Sequence, residues 1–218
     1  MKQYRVYFEK KSEAIYISHL DLQRVVIRAL KKSRIPAKYS EGYNPHIYVA
    51  FALPLSLGQG SVCESFDFKC NLPISVESSM LALNSALPSG ITVTNIKEAT
   101  TGFSSIISAD YSIFYGETDK SVVADALSRF QLLPKAIVLK KNKKNTFTEI
   151  DLKEYIENIN VMHDEECVSF SLNLPAGNLL TINPMLFCEF LEQEYDIPRT
   201  DAFITRTRIY CKDGNFFE

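Results

Sequence analysis

Two histidines, a run of basic residues and a turn of aromatic and amide side chains fall within a short stretch near the start of the chain. Ser18-His19-Leu20-Asp21 comes first, and Tyr39-Ser40-Glu41-Gly42-Tyr43-Asn44-Pro45-His46 closes the stretch. Histidine is the side chain whose ordinary pKa allows proton transfer near neutrality, so His19 and His46 are the candidates for acid–base work. Between them Arg24, Arg28, Lys31 and Lys32 recur at i, i+4, i+7, i+8, and Lys38 follows. That spacing puts the first four on one helical stripe, a pattern suited to phosphate contacts. Tyr39 and Tyr43 offer faces for stacking unpaired bases, and Ser40 and Asn44 offer polar edges beside them.

Each feature has a plain structural alternative. Ser18 with Asp21 three residues on is a capping box, which explains both residues and leaves His19 unexplained. A basic stripe is also an ordinary solvated helix face, although no Asp or Glu lies between Gln23 and Ser40 to pair with it. Gly42 and Asn44-Pro45 are turn formers, Gly42 where φ turns positive, so the loop could be a packed turn. Leu57-Gly58-Gln59-Gly60-Ser61 lacks the Gly-rich chemistry of a nucleotide loop and reads as a hairpin tip. Lys140, Lys141, Lys143 and Lys144, with Asn142 and Asn145, read as another exposed tip. Arg206 and Arg208 alternate on one face of a late strand and would extend the basic surface. His163, beside Asp164, Glu165 and Glu166, reads as a solvated turn.

The composition is that of an ordinary globular protein: 46% apolar and 23% charged over 218 residues, with net charge −2. Residues 1–50 hold ten Lys/Arg against four Asp/Glu, a local +6 that leaves −8 for the rest. The asymmetry fits one basic face turned toward a polyanion. No apolar run reaches the roughly 18 residues of a membrane span, and Met1–Phe8 alternates like a strand without the apolar core of a signal peptide. A cytoplasmic protein with no membrane partner is expected. The cysteines at 63, 70, 167, 188 and 211 show no C-x-x-C spacing, so neither metal nor cofactor is expected.

Hydrophobic periodicity supplies the scaffold. A strand is predicted over 3–9, a short one at 13–17, and a helix over 21–34 with Leu22, Val25, Val26, Ala29 and Leu30 inward. Extended segments follow at 46–53 and 62–70, then a helix over 75–87 with Val76, Met80, Leu83 and Leu87 on one stripe, and a strand over 91–98. After a linker the order repeats. It runs through a strand at 111–115, a helix at 120–131 with Val122, Val123, Ala126, Leu127 and Phe130 inward, and strands at 135–141 and 167–174. A helix from the Asn183 cap and Pro184 to Tyr195 and a strand over 202–211 complete it. Asp151–Asn158 reads as a short inserted helix. Two β-α-β-β-α-β units describe an α+β, tandem ferredoxin-like fold. Its domains would be 1–99 and 109–218, joined by a linker over 100–108.

Ser18-His19-Leu20-Asp21, Arg28-Ala29-Leu30, Ile35-Pro36, the 39–46 motif, Leu53-Pro54-Leu55, Gly58 and Glu64 together resemble the radical-SAM-linked protein family of bacteria. The likeness is specific over residues 1–100. Further on it is thinner, resting on Asp151-Leu152, Asn183-Pro184 and Arg206-Thr207. Tyr43 and Ile47 stand where many members carry Phe and Pro. The resemblance implies a partner or substrate-presenting module for a separate radical SAM enzyme, one acting on RNA. The predicted architecture also resembles that of CRISPR repeat-processing endoribonucleases. Three functions follow as expectations. The first is an RNA-binding accessory protein, the second a metal-independent endoribonuclease using His19 or His46, and the third a protein-interaction scaffold.

Overall fold

A computed structural model of the chain describes residues 1–141, 146–163 and 168–217. It is a mixed α+β protein with antiparallel sheets, and it divides into two compact units. One comprises Met1–Ser105 together with Phe217, and the other Ile106–Phe216.

The first unit runs β1 (Lys2–Lys10), α1 (His19–Lys32), β2 (Val49–Phe51), β3 (Gly60–Cys70), α2 (Val76–Ala86) and β4 (Ile91–Glu98). β1 pairs with β4 on one side and β3 on the other, and β2 pairs with β3 at Phe66–Phe68, all antiparallel. Alternation along β1 sends Tyr4, Val6 and Phe8 to the face that Phe66 and Phe68 share. Leu22, Val26 and Leu30 of α1 and Leu83 of α2 close the core over it.

α1 forms for the reasons its sequence gives. Ser18 Oγ accepts the Asp21 backbone N–H at 3.2 Å, and its hydroxyl donates to the Asp21 carboxylate at 2.7 Å. The helix stops where Arg34 adopts φ +54° and Ile35-Pro36 forbids a further turn. The expected strand at 13–17 is instead a 3₁₀ turn over Ser12–Tyr16. Lys10 fixes it by turning inward and donating to the Ile15 and Ile17 carbonyls at 3.1 and 3.0 Å. On α2 Leu83 is buried and Met80 half-buried, but Val76 is exposed because it opens the first turn.

The second unit runs β5 (Ile106–Tyr115), α3 (Lys120–Leu132), β6 (Ile137–Lys141), β7 (Phe147–Asp151), β8 (Asn160–His163), β9 (Val168–Pro175), α4 (Met185–Tyr195) and β10 (Ala202–Cys211). Its sheet has the order β10-β5-β9-β8. The expected 100–108 linker is cut short, since a 3₁₀ turn occupies Phe103–Ser105 and β5 begins at Ile106. The strand expected at 135–141 pairs only with β7, as a separate hairpin, and β8 takes the place beside β9. The inserted helix shrinks to a 3₁₀ turn, Leu152–Glu154, begun by Asp151. α3 buries Val123, Ala126, Leu127 and Phe130 but leaves Val122 exposed. α4 starts one residue later than expected. Pro184 is its cap residue and Asn183 Oδ1 accepts the Met185 N–H at 3.1 Å. Asn142, Lys143, Lys144 and Asn145, and Asp164 to Cys167, lie outside the described residues.

Candidate nucleic-acid interface

Burial of Leu22, Val26, Ala29 and Leu30 leaves Arg24, Arg28, Lys31 and Lys32 on the exposed side of α1. The stripe is less free than its sequence implies. Arg24 pairs back to Asp21 at 2.8 Å, and Lys38 lies 3.8 Å from Glu41 downstream. The acids that the 23–40 interval lacks are thus supplied from just outside it. Lys31 Nζ lies 5.8 Å from the centre of the Tyr39 ring, a cation–π contact that docks the start of the loop on the last turn of α1. Arg28 and Lys32 remain exposed without a hydrogen-bond or ion-pair partner among the described residues.

The loop itself is closed by Ser40 and His46. The Ser40 N–H donates to the His46 carbonyl at 2.7 Å, and Ser40 Oγ accepts the His46 N–H at 3.1 Å. His46 Nδ1 lies 3.1 Å from Ser40 Oγ and 3.3 Å from the Asn44 carbonyl oxygen. Gly42 has φ +122°, the positive value the turn demanded. Ser40 and the backbone of Asn44 are therefore occupied in shaping the loop. Tyr43 projects from its tip, fully exposed at 107%. Tyr48, also exposed, adds an aromatic that the sequence reading did not single out.

His19 opens α1 and lies half-buried, its ring set edge-on to Phe51 of β2 at 5.1 Å. No hydrogen bond or ring contact joins it to His46 among the described residues. Lys31, which holds Tyr39, sits twelve positions along the same helix. That places His19 about 18 Å from the docking point of the loop, at 1.5 Å per residue. The two histidines occupy separate surroundings.

Two of the ten N-terminal cations never reach the surface. Arg5 is 1% exposed and makes a two-pronged pair with Asp67 at 2.8 and 2.9 Å, with a further bond to the Thr101 carbonyl at 2.6 Å. Its guanidinium lies 4.8 Å from the Phe103 ring centre and 4.3 Å from that of Phe217. Lys10, also 1% exposed, is the cation that fixes the 3₁₀ turn, and burial pushes its pKa down against the opposing pull of Glu64. The +6 of residues 1–50 is therefore partly internal. A signal existed in the strand alternation, which sets Arg5 opposite the Val6 face, but its partner lies far away in sequence.

In the second unit Arg206 and Arg208 do not share a face. A register shift between them in the pairing with β5 buries Arg206 against the Tyr111 ring and leaves Arg208 exposed beside Phe216. A cleft of about 520 Å³ in this unit is acidic and amide-rich, lined by Asp110, Glu154, Glu157, Asn158 and Asn173. It does not extend a basic surface. Burial pushes the Cys188 thiol up to about 12 and Cys70 up to about 11, so neither is a nucleophile near neutrality. Among the described residues no group of three His, Cys, Asp or Glu side chains is placed to hold a metal ion.

The profile of uncharacterised proteins conserved in bacteria, DUF2344, matches residues 3–184. The chain belongs to this family. The family match takes in every element of the first unit and ends just before α4. No curated protein matches this member of DUF2344. Among solved structures it is similar to the crystal structure of an unknown protein from Galdieria sulphuraria. The two are 14% identical over 94% of this chain and 96% of that one, with a TM-score of 0.26. No helix among the described residues is long and apolar enough to cross a membrane.

Proposed function

We propose that the first unit binds RNA and that the protein serves as a noncatalytic accessory to a separate radical SAM enzyme, presenting that RNA as substrate. Arg28 and Lys32 carry the reading, being exposed cations without carboxylate partners on a helix whose last turn docks an aromatic loop. In this reading Arg28, Lys31 and Lys32 hold phosphates, Arg24 and Lys38 exchange their carboxylate partners for phosphate, and Tyr43 stacks on a base. With the β6–β7 hairpin set aside as an insertion, each unit has the strand order fourth, first, third, second, and this reading takes the two as tandem ferredoxin-like folds.

Neither histidine is given a catalytic part. In this reading His19 serves by packing on Phe51 and His46 by closing its own loop.

The test is the salt dependence of binding to a single-stranded oligoribonucleotide. Arg28→Glu with Lys32→Glu should weaken binding and lower the slope of log K against log salt by roughly 1.4, at about 0.7 per phosphate contact. An unchanged slope would refute the assignment. Crosslinked affinity purification tests the partner, with one RNA species and a radical SAM enzyme recovered together as the expected result.

A further inference from the structure

A cleft of about 340 Å³ in the first unit lies where α1 ends and α2 begins. Arg34, Ser75, Ser78 and Ser79 line it with hydrogen-bond donors, Ser33 lines it with a hydroxyl already given to the Ala29 carbonyl, and Pro36 and Pro73 form part of its apolar wall. None of these was among the residues singled out for chemistry.

The first turn of α2 is left open. Its cap residue Ser75 makes no side-chain cap bond, and its Oγ lies instead 3.1 Å from Ser78 Oγ. The backbone N–H groups of Val76, Glu77 and Ser78 have no acceptor among the described residues, and the helical ladder begins with the Ser79 N–H on the Ser75 carbonyl. Such an open turn concentrates positive potential at the helix start. A helix start alone is no site, and the deciding observation is Ser79. It lines the cleft, is only 7% exposed, and its hydroxyl has no hydrogen-bond partner among the described residues. The Ser79 hydroxyl keeps contact with the cleft, so a ligand oxygen placed there can bond to it directly.

Arg34 supplies the charge. Its backbone is held at φ +54° at the end of α1, and its side chain has no acidic partner among the described residues. The negative end of α1 beside it is blunted, because the Ser33 N–H and hydroxyl both donate to the Ala29 carbonyl and the Arg34 N–H to that of Lys31. Glu77, on the same turn of α2, is exposed and is not part of the cleft lining.

We propose that this cleft binds a phosphate group, held by Arg34, the serine hydroxyls and the first-turn amides of α2. Uncapped amides with hydroxyls and one guanidinium match the tetrahedral oxygens of phosphate and offer no carboxylate to repel it. The site stands independently of the RNA reading, since it uses none of Arg28, Lys31, Lys32 or the 39–46 loop.

Two substitutions in the full chain test it. Ser79→Ala removes the orphan hydroxyl, and Arg34→Asn removes the charge while tolerating a left-handed backbone. Each is titrated with inorganic phosphate at constant ionic strength, following the amide resonances of residues 75–79, and separately with an oligoribonucleotide. Wild type should bind, and each variant should lose at least tenfold in affinity. Without phosphate the Ser79→Ala protein should unfold at the same temperature as wild type or higher, which separates lost binding from lost folding. Loss with inorganic phosphate marks a free or monoester phosphate as the ligand, and loss confined to the oligoribonucleotide marks a backbone phosphate. If either variant matches wild type in both titrations, or wild type responds to neither ligand, the site is refuted.

Discussion

Arg5 and Asp67 are both buried, with side-chain exposures of 1% and 6%, and the two strands β1 and β3 set them directly opposite each other. Burial alone would pull the Arg5 pKa down. The bond to Asp67 and its field more than offset that, and the net shift is upward. Removing one partner leaves the other as an uncompensated buried charge. Asp67→Ala should cost about 3–5 kcal/mol of unfolding free energy, measured by urea denaturation. Replacing the pair together, Arg5→Met with Asp67→Leu, should cost far less. The exposed pair of Arg24 and Asp21 is a different object, since water screens it, and it can be surrendered to a phosphate at little cost.

At the scale of elements, the turn from β5 into α3 is organised by one carboxylate. Asp201 accepts backbone N–H bonds from Gly116, Glu117 and Thr118 and the Thr118 hydroxyl at 2.7 Å. Desolvation opposes the charge, yet these donors outweigh it and hold the Asp201 pKa below the usual carboxylate range. The unfolded chain therefore takes up the proton first, and this contribution is full at neutral pH and fades as pH falls through the lowered pKa. Asp201→Asn should destabilise the protein by about 1.5 kcal/mol at pH 7. The deficit should shrink on acidification toward pH 3, and parallel denaturation curves for the two proteins would check it. Elements with local signals were legible in advance. α1 had its Ser18 box, its apolar stripe and Pro36 beyond, and the starts and ends of the other helices shifted by only one or two residues. β8 was missed because Asn160–His163 is too short to show a period. The paired face of Arg206 and Arg208 was misjudged because a bulge flips alternation midway along β10 and leaves no mark in composition. In the candidate interface the stripe and the loop were readable from spacing. The acids that tie Arg24 and Lys38, and the burial of Arg5 and Lys10, depend on contacts that spacing does not reveal.

Over the whole molecule the charge is sorted. The first unit exposes the basic face of α1, and the second presents an acidic and amide-lined cleft, so a net charge of −2 conceals two surfaces of opposite character. The first unit is also not built from contiguous chain, since Phe217 belongs to it and covers the Arg5 guanidinium together with Phe103. Phe217→Ala should destabilise that unit by about 3 kcal/mol. Hydrogen exchange should quicken at the amides of β1 and stay unchanged at those of β9. A ribosome adds roughly 5–20 residues per second, so Phe217 emerges on the order of ten seconds after Ser105. Throughout that interval Arg5 waits under a half-finished aromatic cover. The part of the protein synthesised first is the part completed last, and nascent chains halted before Phe217 would carry a first unit poised for capture by chaperones or proteases.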